Sequence, residues 1–281
     1  MYKEAALIKR NSELFYFRHA PPHLERAQPE DAYSGNRPAP PYIGAQGWKC
    51  SIYYYWWRFV REVPGLREKL SKSSASAPVG SIIPDFKHVF DCNFREWWVI
   101  EGRQLFSEPR ETGVKIEFPP LSAEGLENRA IFSIPLNGDL EQAMSELKHL
   151  LKPEMVQFKA EQGPSRALYP VFANPPLSSL HTVFTVWRAH RNRPDLTLFE
   201  LADFIDGKLG IVQNDADTKK TKSATIGRYL GKAKTIIEYA ECGLFPVIKH
   251  SAKAKQMAER LAFERRVRQM KGIAERLKDR L

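Results

Sequence analysis

The sequence predicts an α+β chain in three parts. Residues 1–175 form an N-terminal mixed α/β domain around an aromatic-rich helix, residues 176–248 a helical domain, and residues 249–281 a basic amphipathic helix. Three observations predict this. Apolar residues alternate with a period of two in segments between residues 82 and 136, which is strand spacing. Between residues 177 and 240 they recur at helical spacing. Residues 249–281 hold 11 Lys/Arg against four Asp/Glu, so much of the net charge of +10 sits at the C-terminal end. Asymmetry of that kind points to a polyanionic partner.

The first residues, MYKEAALIKRNSELF, are interrupted by charge and lack the apolar run of a secretory signal. No stretch of about 18 uncharged apolar residues occurs, so no membrane partner is expected. Cys50, Cys92 and Cys242 are far apart and form no C-x-x-C pair, which fits a reducing, cytoplasmic setting. Residues 20–47 are rich in Pro and Gly and read as an irregular arm.

The run SIYYYWWRFVRE puts six aromatics into positions 53–59. On a helical wheel Tyr53, Trp56, Trp57 and Val60 share one arc, widened by Tyr55 and Phe59. Tyr54, Arg58, Arg61 and Glu62 gather within about 100° on the other side. That is the pattern of a helix buried over most of its circumference. Base stacking is the rival reading, but stacking platforms interleave basic residues among spaced rings, and here five rings precede the first cation. The interior is the better assignment.

After a turn and short helix in EVPGLREKL and a Ser/Ala-rich loop, residues 82–136 read as strand-rich. GVKIEF alternates Val114, Ile116 and Phe118, and RAIFSIPL alternates Ala130, Phe132, Ile134 and Leu136. Helical spacing returns at Leu140, Met144, Leu147 and Leu151, ending before Pro153. The proline-rich segment EQGPSRALYPVFANPPLSS reads as a linker, with a domain boundary near residue 175.

Three helices follow. The first sets Leu177, Leu180, Phe184 and Trp187 on one face and stops before Pro194. The second opens on Thr197 with Glu200 three residues on, a capping box, and turns Leu198, Leu201, Ala202 and Ile205 inward. The third is expected to start near Ser223, to bury Ile226, Leu230, Ala233, Ile237 and Ala240, and to end at Gly243 and Pro246. Six basic residues and no acidic one fall between Lys219 and Ile237.

This succession of TLFELADFI and SATIGRYLGKA helices resembles the helix-turn-helix or winged-helix class of DNA-binding proteins, with GLFPVI as the start of a wing strand. The resemblance implies a third helix in the major groove of double-stranded DNA. Ser223, Thr225 and Arg228 would then read bases, while Lys219, Lys220, Lys222, Lys232 and Lys234 neutralise phosphates. The chain departs from the compact motif by the 17 residues, 206 to 222, between the second and third helices. They are either a basic loop that touches DNA or a sign that the motif is a different one. Earlier in the chain, WWRFVREVPGLREKL is similar to a W-x-F-L-R-R-N-P-x-Y segment of regulators on bacterial plasmids and integrative elements. Trp57, Phe59, Arg61 and Pro64 match, whereas Val60, Glu62 and Val63 depart from it.

In the terminal segment Phe263, Val267, Met270, Ala274, Leu277 and Leu281 are spaced 4-3-4-3-4, a short coiled-coil seam. It serves either a homodimer or docking on a partner or on phosphates, with Arg265, Arg266 and Arg268 as further DNA contacts. A protein partner for the N-terminal domain is also expected, in assembly or ligand sensing.

No catalytic residue, metal site or cofactor is expected. The seven histidines are scattered, with no H-E-x-x-H and no phosphate-binding glycine loop. Asp91, Glu101 and Arg103 form the one acidic grouping that resembles a nuclease set. The chain therefore reads as a non-enzymatic, sequence-specific duplex DNA-binding regulator of a mobile element. A non-enzymatic adaptor of a nucleoprotein or defence complex and a plasmid replication initiator are the alternatives.

Overall fold

The computed structural model describes residues 15–24, 31–32, 36–71, 79–108, 147, 165–209 and 219–278. The chain divides into two compact units, Met1–Pro109 with Arg166–Leu281, and Arg110–Ser165. All the elements below belong to the first unit, which runs through the boundary expected near residue 175.

The N-terminal half of the first unit is organised by helix α1, Ile52–Val60. Ser51 caps it: its hydroxyl accepts from the Tyr53 N–H at 3.4 Å and donates to the Ala20 carbonyl at 2.7 Å. Every residue of α1 except Arg58 is buried. Trp56 lies between Phe106 and Phe245 at ring separations of 4.8 and 5.3 Å, and Phe59 meets Phe184 edge-on at 5.1 Å. The aromatic run is the centre of the core, with its ring faces occupied by other rings. Its few polar groups use the rim: Arg58 stacks on Phe184 at 3.8 Å and Arg61 on Trp57 at 4.4 Å. Such aromatic pairs add about 0.5–1.5 kcal/mol each beyond area burial.

A short helix α2, Leu66–Ser71, follows a turn at Gly65, whose φ of +67° places it in the left-handed region that glycine adopts without strain. The α+β assignment fails in the next stretch. Residues 82–106 are not strands but a succession of helical turns. After a 3-10 turn at Ile83–Asp85 come α3, Phe94–Trp97, a π-helical turn at Trp98–Gly102, and α4, Arg103–Phe106. The local chemistry explains this. Asn93 and Glu96 form a reciprocal capping box that starts a helix. Phe94, Trp97, Trp98 and Leu105, all buried, fall at helical intervals. Gly102 lets the Trp97 and Trp98 rings close over the backbone, since a Cβ there would stand 2.7 Å from Trp98. The expected strands at 113–118 and 129–136 lie outside the described residues. So does the expected helix from 140 to 151, apart from Leu147, which is helical. Among the described residues, strand structure amounts to a parallel pairing of β1, Phe15–Tyr16, with β2, Asp31–Ala32, an isolated bridge between Val171 and Phe245, and a bridge residue at Glu108. The fold is predominantly helical.

The proline-rich segment expected to act as a linker is, in its described part, anchored to the core at Ala167, Tyr169 and Leu177. Tyr169 is fully buried and donates its hydroxyl to Asp85 at 2.8 Å. The Phe172 N–H bonds the Phe245 carbonyl at 2.7 Å. Then come α5, Leu177–Asn192, α6, Leu198–Leu209, α7, Lys219–Glu241, and α8, Ala252–Lys278.

One face of α5, with Leu177, Leu180, Val183 and Phe184, and the C-terminal half of α7, with Ala233, Ile236, Ile237 and Ala240, join the aromatic core. A second cluster of Val186, Leu201, Ala202, Ile205, Ile226 and Leu230 ties α5, α6 and the N-terminal half of α7 together. A third cluster, including Tyr239, Leu244, Val247, Ala254, Ala258 and Leu261, fastens α8 to the end of α7. Among the described residues no helix is long and apolar enough to cross a membrane.

Candidate nucleic-acid interface

The three-helix unit of α5, α6 and α7 follows the local signals of the sequence closely. At the start of α6 the Glu200 carboxylate accepts from the Thr197 N–H at 2.8 Å and its hydroxyl at 2.7 Å. These bonds hold the Glu200 carboxyl below its ordinary value. Helix α7 begins at Lys219, a turn earlier than the expected Ser223, ends at Glu241 and is closed by Gly243, whose φ is +76°. There the Leu244 N–H reaches the Tyr239 carbonyl and the Gly243 N–H the Ala240 carbonyl, each at 2.9 Å, a Schellman closure. The GLFPVI segment does not begin a wing. Leu244, Phe245 and Val247 are fully buried, and Phe245 forms a parallel bridge with Val171.

The basic residues of α7 divide into two sets. Lys219 and Lys222 turn back onto α6, both over the Phe199 ring at about 5.5 Å, and Lys222 pairs with Asp203 at 2.7 Å. The Lys222 charge is therefore paired within the chain, at its surface. Lys219 remains exposed despite its ring contact, and Lys220, Arg228, Lys232 and Lys234 are exposed without one to α6. At about 100° per residue, Lys220, Arg228 and Lys232 lie on the half of α7 opposite the buried stripe of Ile226, Leu230, Ala233 and Ile237, and Lys234 flanks the stripe. Thr225, Arg228 and Lys232 lie toward one edge, with Arg228 donating to the Thr225 hydroxyl at 3.0 Å. Lys234 and Ser223 lie toward the other. Between these edges run Lys220, Ala224, Gly227 and Gly231, and a Cβ on either glycine would meet nothing within 4 Å. The solvent side is thus a low-relief cationic surface rather than a narrow ridge.

Beside it, α5 and α7 border a cleft of about 200 Å³ lined by Ser178, Ser179, Thr182, Tyr229 and Lys232 among others. Segment 210–218, most of the insertion between the second and third helices, lies outside the described residues.

The arginines of α8 do not extend this surface. Arg265 is buried, donating to the Gly80 carbonyl at 3.0 Å and to the Cys242 carbonyl at 2.7 Å. It fastens α8 to the body and is closed to a duplex. Arg268 pairs with Asp85. Arg266 is exposed, but it sits at the far end of α7: the 14 residues from Arg228 to Cys242 span roughly 21 Å of helix.

The acidic grouping near residue 100 is also structural. Glu101 accepts from the Trp97 indole at 2.8 Å and from the His88 N–H at 3.3 Å, while its partial burial raises its pKa. Arg103 is buried against the Phe15 ring. No group of three or more His, Cys, Asp or Glu placed to hold a metal occurs among the described residues.

One polar anchor was missed. Glu62 is buried and receives the Trp187 indole N–H at 3.1 Å and the guanidinium groups of Arg188 and Arg191. It locks the aromatic helix to α5. Its place on the polar strip of the wheel hid this role, because the partners lie more than 120 residues away.

No protein-family model, curated protein or solved structure matches the chain, so its fold and its cationic surface rest on the residues described above.

Proposed function

We propose that the protein binds duplex DNA in the cytoplasm, as a non-enzymatic regulator of a mobile element. In this reading α7 lies against the major groove and two copies pair through α8. The observation that carries the proposal is the exposed half of α7. It bears Lys220, Arg228, Lys232 and Lys234, with no acidic residue before Glu238, on a framework of three tightly packed helices. Arg228 and Thr225 are the base-reading pair, and the lysines anchor phosphates. Ala224, Gly227 and Gly231 allow the helix backbone to approach the duplex closely. Two copies would supply about eight such cations, enough for the six to ten phosphate contacts of a salt-sensitive binder.

The test is a gel shift of the full chain on random and genomic duplexes. Arg228→Ala is expected to relax sequence preference, and Lys220→Ala to weaken all sequences about equally. Unchanged binding in both variants would remove α7 as the interface. A second reading, a non-enzymatic adaptor that docks on protein, is favoured by the apolar row on α8, where Phe263 and Met270 are 64% and 54% exposed.

A further inference from the structure

That apolar row has a particular partner. Helix α8 is fastened to the body by Ala254, Ala258, Leu261 and Arg265, all buried. Phe263, Val267, Met270 and Ala274 lie within about 60° on the opposite side of the helix, and all are exposed. Since the two faces are about 180° apart, the body does not stand between this row and an incoming helix.

The spacing of the row makes Phe263 and Met270 d positions, and Val267 and Ala274 a positions. Glu264 and Lys271 then occupy e, and Glu259 and Arg266 occupy g. In a parallel pair each g residue faces the e residue of the following heptad on the other helix. Glu259 would meet Glu264, and Arg266 would meet Lys271, so both charged contacts are between like charges. Reversing one helix pairs e with e.

Centred between Val267 and Met270, the antiparallel arrangement sets Glu264 of each copy against Lys271 of the other, twice. Val267 then packs on Met270, and the large Phe263 fills the space over the small Ala274. The sequence carries the same register on to Leu277.

We propose that α8 is an antiparallel homodimer interface whose orientation is selected by the Glu264–Lys271 pairs. This rests on the pairing through α8 in the function proposed above, and not on DNA binding.

The experiment is sedimentation equilibrium of the full chain without DNA, as wild type and three variants. The wild type is expected to dimerise reversibly in the micromolar range. Met270→Glu is expected to weaken the dimer about 100-fold or more while leaving the helical circular dichroism intact, because Met270 is exposed. Lys271→Glu sets Glu264 against a carboxylate in each copy and should weaken association about three- to tenfold. The double variant Glu264→Lys with Lys271→Glu should restore it. A monomer at every concentration, or a dimer indifferent to Met270→Glu, overturns the interface. Tightening by Lys271→Glu, or no change, overturns the antiparallel orientation, because in the parallel pair that variant relieves the clash with Arg266. Gel shifts with Met270→Glu then report separately on DNA binding by the monomer.

Discussion

Helices α1 and α7 are both dense in one kind of side chain, rings in the first and cations in the second, yet they play opposite parts. In α1 the polar residues keep to one strip, and even that strip is used internally: Arg58 and Arg61 stack on rings while the neighbouring Glu62 is buried. In α7, as far as Lys234, the buried apolar residues keep to one stripe and the opposite half is left to water and charge; beyond it Thr235 and Tyr239 bury the other side as well. The difference teaches that the density of a residue type says less than the arc left to its opposite. A narrow polar arc means interior, however suggestive the rings. A wide polar arc means surface, and on α7 as far as Lys234 that surface carries charge of one sign.

The largest expected effect breaks the α1 side. Trp56→Ala removes a fully buried indole seated between two rings and should cost about 3–5 kcal/mol, read by urea unfolding. A loss below about 1 kcal/mol would mean that the run is not the core.

Next, two arginines sharpen the contrast between fastening and binding. Arg265→Met strips the Gly80 and Cys242 carbonyls of a charged donor and should cost about 2–3 kcal/mol. Arg228→Ala, on the exposed half of α7, should stay within about 0.5 kcal/mol of wild type in stability. The opposite order would reverse the roles given to α7 and α8.

Gly243→Ala comes third. It forces a positive φ on alanine and sets a Cβ 2.5 Å from the Arg265 guanidinium and 2.8 Å from the Tyr169 ring. Thermal unfolding should register a loss of roughly 1–2 kcal/mol from the backbone alone.

The smallest effect is with pH. Burial lowers the pKa of His19 and His181, each helped by a nearby cation, Arg18 for the first and Arg58 for the second. Their folded values lie below the unfolded one, so the neutral forms favour the fold. Stability should decline as pH falls from about 6.5 through those lowered values. Glu101, whose pKa is raised by burial, acts in the opposite sense nearer its ordinary carboxylate range. A stability rising steadily from pH 7 to pH 5 would contradict the burial of both histidines.

What the sequence made legible was local. The Thr197–Glu200 capping box, the stop at Gly243, the buried stripe of α7 and the interior place of the aromatic run all follow from residues within a few turns of one another. Residues 82–106 misled because Phe, Trp, Ile and Val favour strands by composition, while the Asn93–Glu96 box and the spacing of Phe94, Trp97 and Trp98 already mark a helix. At the candidate site, Arg228, Lys232 and Lys234 were recognisable from helical phase and Lys220 only from the local run of basic residues, whereas the internal roles of Lys222, Arg265 and Arg268 were not. Their partners, Asp203, Cys242, Gly80 and Asp85, lie 19 to 185 residues away. A cation that fastens the fold and one that awaits a ligand look alike until the tertiary contacts are known.

The cationic half of α7 as a duplex-binding surface is tested most directly by titrating affinity against salt for the full chain and for a variant with Lys220, Arg228, Lys232 and Lys234 all changed to Ala. Affinity of the wild type should fall by about 10³–10⁵ between 50 and 200 mM salt, and the variant should lose most of both the affinity and the slope. A flat salt response in the wild type, or a variant that binds as well as its parent, would contradict the proposal.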